Sequence, residues 1–255
     1  MNTSANNLHL YADPDAIRLF WGYKKDNVTQ DQFNKDLGET FMPGTPAVLA
    51  PMGLNGYLPA VLNLDQPEKY PDEVALIVYP SLPLYNAARE DNLLGRIYTY
   101  SHLGVFDMDR SRGQWPGTTN SPEKHSVLDR WAWRVLNHRL DWQKGQARLF
   151  ALESHEVNVY ETLLEYSKKA KSALGILGVE EMIVQSTAEF ATIWLYSVKS
   201  ELEFDFKSLG FPNELRVISD LRSEPFNMRR GNETLEVKDA VFIQFRFPRE
   251  VKYYL

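Results

Sequence analysis

The stretch AIRLFWGYKKDNVTQDQF, residues 16–33, opens with a strand-like run from Ile17 to Tyr23, crosses a polar turn, and reaches Thr29 with Gln32 three positions on. That spacing is a capping box: the hydroxyl accepts from an amide of the first turn and the glutamine reaches back, so it predicts a helix start. Later QARLFALESHEVNVYETL, residues 146–163, repeats the plan, with a strand from Ala147 to Glu153 and Asn158 with Glu161 opening a helix. The shared tripeptide Arg-Leu-Phe, 18–20 and 148–150, carries no weight alone; the shared order does.

Working outward, the first helix spans 29–42 with Phe33, Leu37 and Phe41 at helical spacing, followed by two runs of strand character, NGYLPAVLNL and EVALIVYP. A short helix over 81–91 and a strand over RIYTYSHLGVFD, 96–107, complete the order βαββαβ. After the second helix, 158–174, come EEMIVQST and EFATIWLYSV, a short helix capped by Ser200 with Glu203 and running to Gly210, and the strand ELRVISDL. This is βαββαβ again. The simplest structure for such a unit is a four-stranded antiparallel sheet with two helices on one face. The uncovered faces of two such sheets can bury each other.

The fold class expected is therefore α+β, tandem ferredoxin-like repeats with antiparallel sheets packed face to face. In element order the chain resembles the dimeric α/β-barrel superfamily in its fused two-repeat form. That resemblance implies a small-molecule enzyme without a nucleotide cofactor, of monooxygenase, cyclase, isomerase or lyase type, acting on an aromatic or polyketide-like metabolite. No cofactor is expected, with haem left open because haem enzymes share the plan; a non-catalytic ligand-binding or assembly module is the other alternative. The organisation expected is a first repeat over 1–106, a loop and connecting helix over 107–144, a second repeat over 145–222, and an appended hairpin over 223–255 whose last strand aligns Val241, Ile243, Phe245 and Phe247. The connecting helix is read from SVLDRWAWRVLNHRLDW, apolar on two sides and so wedged between two partners, with a homodimer contact as the alternative.

Composition narrows the partners. A net charge of -6 across 255 residues argues against nucleic acid, which is held by clustered Lys and Arg. Without cysteine there are no disulfides and no thiolate ligands or nucleophiles. No stretch has the apolar length of a membrane span, and the first ten residues lack a signal-peptide pattern, so a cytoplasmic protein binding a small-molecule ligand is the expectation. His155 would open a zincin motif, but its partner position is Val159; Asp107, Asp109 and Ser111 start like a calcium loop that then fails at Arg112 and Thr118. No metal site is expected.

The candidate site rests on the strand read over 96–107. Alternation would place Arg96, Tyr98, Tyr100 and His102 on one face, a cation, two phenols and an imidazole. His102 is the expected acid/base, Tyr98 and Tyr100 hydrogen-bond donors, and Arg96 the anion anchor. Arg110, Arg112 and Trp115 in the following loop would cover a ligand, and Trp194 and Tyr196, sharing a face with Thr192, would add contacts unless they are core. Glu153 and His155 form a secondary carboxylate and imidazole candidate.

Overall fold

The computed structural model describes residues 15–64, 68–198 and 202–225. β1 (Ala16–Gly22) alternates as its sequence demands. Ile17, Leu19 and Trp21 enter one core, and Ala16 and Phe20 another on the opposite face, which they share with Arg18. β1 pairs antiparallel with β3 (Glu73–Tyr79) and β4 (Arg112–Gln114), and β3 pairs with β2 (Gly56–Val61), giving the order β2-β3-β1-β4. A helical layer covers one face. α1 (Gln30–Asp36), N-capped by Thr29, runs through a π-helical turn at Leu37–Phe41 into α2 (Met42–Leu49). α3 (Leu82–Asn86), a second π-helical turn at Ala87–Asp91 and α4 (Leu93–Ser101) complete it.

The second sheet is larger. β5 (Gly117–Thr118), β6 (Glu123–Lys124) and β7 (Trp131–Arg134) lead to β8 (Gln146–Glu153), α5 (Val159–Lys169) capped by Asn158, α6 (Lys171–Ile176), β9 (Glu181–Ser186), β10 (Phe190–Ser197) and β11 (Arg216–Ser223). Its order is β11-β8-β10-β9-β7-β5, with β6 also on β7. The chain is thus α+β with two sheets, antiparallel except where β5 meets β7.

Leu19, Trp21 and Leu76 of the first sheet and Leu149, Ile183 and Trp194 of the second share one buried cluster, so the sheets face each other. Trp21 Nε1 donates across that boundary to Thr192 Oγ1 at 2.8 Å. The outer faces are closed separately, the first by α1 to α4 and the second by α5 and α6.

Three expected elements differ. The segment read as a strand from Arg96 is helix α4. Asn92 caps it, its side chain accepting from the amides of Leu94 and Gly95, and the buried positions Gly95, Tyr98 and Ser101 recur at every third residue. The β-propensity of Ile97, Thr99 and Tyr100 loses to that cap and period. The fourth strand of the first sheet is instead β4, beyond residue 106. The connecting helix expected from Ser126 is also absent: Trp131–Arg134 pairs with β9, placing Trp133 and Val135 in the outer core and Ala132 in the inner one. Two-sided apolarity there reflects a strand buried on both faces. Of the short helix expected from Ser200, only a 3-10 turn at Phe206–Leu209 forms within the described residues, and the C-terminal hairpin lies outside them. Among the described residues no helix is long and apolar enough to cross a membrane.

Candidate active site

Between the first sheet and its helices lies a partly open cavity of about 40 Å³. The sheet contributes Arg18 and Phe20 from β1, Tyr57 from β2, and Glu73, Ala75 and Ile77 from β3; the helical layer contributes Phe41, Thr45, Tyr98 and His102. Phe106 and Met108 also line an open surface depression beside Lys25 and Asp107, so they form the wall between the two spaces.

Four polar groups are wired together. Thr45 Oγ1 donates to the Phe41 carbonyl at 2.8 Å, which uses its one hydrogen, so Tyr98 Oη donates to Thr45. Tyr57 bonds Thr45 and Glu73. Burial pushes the Glu73 carboxyl up to about 8, against the opposing hydrogen bond from Tyr57. It is 4% exposed and, among the described residues, has no cation paired with it, so it is mainly protonated at neutral pH.

His102 sits one turn beyond Tyr98. Its ring stacks on Phe106 at 5.7 Å and meets the edges of Phe41 and Tyr98 at 5.2 and 4.9 Å. Nδ1 lies 2.9 Å from the Tyr98 carbonyl, which only accepts, so Nδ1 carries the proton and Nε2 the lone pair. Burial, then the charge of Arg89, pushes its pKa down to about 3. At neutral pH His102 is therefore a neutral ring with an acceptor at Nε2.

The remaining candidates are dispersed. On a helix, Arg96 and Tyr100 turn away from Tyr98 and His102, and both are exposed, Tyr100 by 59%. Arg112 pairs at the surface with Asp109 at 3.8 Å. Arg110 lies over the Tyr23 ring. Trp115 packs edge-on to Tyr85 at 4.8 Å, near the cavity but outside its lining. Trp194 and Tyr196 belong to the core between the sheets, with Tyr196 Oη donating to the Asp141 carbonyl. Glu153 is buried and accepts from Tyr70 and Arg216, whereas His155 is exposed on the turn after β8; the two do not pair. Trp131 stacks on Tyr160 and Trp133 donates to Ser167.

Arg18, Tyr57 and Glu73 escaped the sequence reading, although their signal was present. Each is a polar residue in step with the apolar residues of a strand that is buried on both faces.

No protein-family model matches this chain. No curated protein sequence matches it either. Among solved structures, it is similar to one from Lactobacillus acidophilus NCFM, with 9% identity over 84% of this chain and 94% of the other and a TM-score of 0.40. Another, from Fusobacterium nucleatum subsp. nucleatum, has 11% identity over 86% and 94% and a TM-score of 0.36. Both are described as a "putative monooxygenase". At these scores neither likeness bears on what this chain binds or does.

The cavity does not fit haem. An engineered cavity of about 150 Å³ holds benzene, so the space beside His102 is too small for a porphyrin. Among the described residues no cluster of three His, Asp or Glu side chains is placed to hold a metal.

Proposed function

We propose that this chain is a tandem pair of ferredoxin-like units whose first unit carries out proton transfer on a small organic molecule, without a nucleotide cofactor. The observation that carries this reading is the pair of titratable groups in one cavity with pKa values pushed apart, Glu73 up to about 8 and His102 down to about 3. A general base or acid works best with a pKa near the working pH, which selects Glu73. His102 contributes a neutral ring with a free lone pair that orients the ligand.

In the step proposed, the Glu73 carboxylate takes a proton from a carbon beside a carbonyl, and the electron pair moves onto the carbonyl oxygen as an enolate. Tyr57 bonds the Glu73 carboxylate through its one hydrogen and would turn that hydrogen to the enolate oxygen once Glu73 holds the proton. Return of the proton elsewhere gives isomerisation. Enolate formation is also the opening step of lyase, cyclase and cofactor-independent monooxygenase chemistry. An aromatic ligand is larger than the cavity, so it reaches Glu73 only with Phe106 or Met108 displaced toward the surface depression.

Exchange of α-hydrogens for deuterium in a panel of small neutral ketones, followed by proton NMR, tests the reading. The wild type is expected to exchange at least one member, with a rate rising to about pH 8, and Glu73→Gln to lose that exchange. A panel without exchange, or exchange indifferent to Glu73→Gln, overturns it.

A further inference from the structure

Arg18 and Arg89 converge on the ring of Tyr85, their guanidinium carbons 5.8 and 5.5 Å from its centroid. Both line the cavity. Among the described residues neither has a hydrogen bond or an ion pair. Burial, reinforced by Arg89, lowers the Arg18 pKa to about 10, which leaves it charged at neutral pH. Tyr79, edge-on to Tyr85 at 5.4 Å, buries a hydroxyl with no partner among the described residues. Arg18 and Arg89 are half-buried cations without a counter-charge, and partial desolvation of such a pair is costly, so this arrangement invites an anion.

The second sheet shows what completes such an arginine. Arg148 precedes Phe150 on β8 as Arg18 precedes Phe20 on β1. Phe150 faces Asp220 on β11, and Phe20 faces Gly113 on β4. Arg148 donates through Nε and Nη2 to the two Asp220 oxygens at 2.8 and 2.7 Å. At Gly113 there is no side chain, and a Cβ built there would lie 1.9 Å from the Arg18 guanidinium carbon. The guanidinium occupies the place of the missing acid.

We propose that the ligand of the first unit is a small organic carboxylate, whose carboxylate group serves Arg18 as Asp220 serves Arg148, with Arg89 alongside. A planar carboxylate matches a guanidinium fork. With Phe106 or Met108 displaced, as for any ligand of benzene's size, the apolar walls of Phe20, Phe41 and Ile77 suit a short carbon chain, which inorganic phosphate lacks. This inference rests on the reading of the cavity as a substrate site in the first of two like units, and it names the substrate class.

Isothermal titration calorimetry with butyrate and with inorganic phosphate, on the wild type and on Gly113→Asp, tests it. Butyrate is expected to bind the wild type, phosphate to bind at least tenfold more weakly, and Gly113→Asp to lose at least tenfold in butyrate affinity because its side chain displaces the Arg18 guanidinium and pairs with it. If circular dichroism shows that Gly113→Asp does not fold, Arg18→Met is the variant read, with the same loss expected. The inference is overturned by a wild type that does not bind butyrate, by phosphate binding as tightly, or by unchanged affinity in the variant read. Deuterium exchange of neutral ketones without butyrate binding removes the carboxylate alone; butyrate binding without exchange removes the proton-transfer reading alone.

Discussion

Glu73 in the folded chain holds its proton to about pH 8, whereas in an unfolded chain the same carboxyl ionises near 4.5. The folded state binds the extra proton between those values, so this group's contribution to stability falls as pH rises through the window, by at most about 1.4 kcal/mol per pH unit. His102 acts oppositely. Its folded pKa of about 3 lies below the ordinary 6.5, so its contribution is lost as pH falls from 6.5 toward 3. The two slopes cancel between about 4.5 and 6.5, and above 6.5 Glu73 acts alone. Urea denaturation across pH should therefore show stability declining from pH 6.5 to 8, a decline that Glu73→Gln flattens and His102→Gln leaves in place. An unchanged decline in Glu73→Gln would show that the carboxyl is not the group responsible. Composition made Tyr98 and His102 visible in the sequence, but their pKa values depend on what surrounds them, and that was not legible.

At the scale of elements, α4 carries Tyr98 and His102 and is seated by Gly95, where a Cβ would lie 1.7 Å from the Ala88 carbonyl oxygen. Backbone cannot yield as a side-chain tip can, so Gly95→Ala must shift the helix or the π-helical turn against it. It is expected to cost about 1–3 kcal/mol despite alanine's better helix propensity. Thermal denaturation measures the cost, and a variant as stable as the wild type would mean that the contact relaxes freely. The alternation of β1, the capping residues Thr29 and Asn158, and the apolar runs of β3, β9 and β10 were all legible, because each is a local pattern satisfied locally. RIYTYSHL was not. It is rich in strand formers, and what makes it a helix is the Asn92 cap and packing against Ala88, neither of which is visible in its alternation. WAWR failed in the other direction, since a strand buried on both faces and a helix apolar on two sides leave the same imprint on a short sequence.

Across the whole molecule, the two sheets share one buried cluster and a hydrogen bond from Trp21 to Thr192. Thr192→Val keeps the shape and strands a buried indole N–H, an expected loss of about 1–3 kcal/mol. Because that core belongs to both sheets, the loss should appear in a single unfolding transition, coincident by tryptophan fluorescence and far-ultraviolet circular dichroism. Two separated transitions, only one of them shifted, would show that the halves unfold independently.

The shared core has a consequence for how the two halves diverge. Where a sheet is covered by an identical copy of itself, every substitution is made twice, and a cavity gained on one side is gained on both. Here each sheet is covered by a different stretch of the same chain, so a change in one outer layer need not be copied in the other. Arg148 can keep its acid as a structural brace while Arg18 goes without one, and the apolar second outer layer can serve as foundation to a first layer released to specialise.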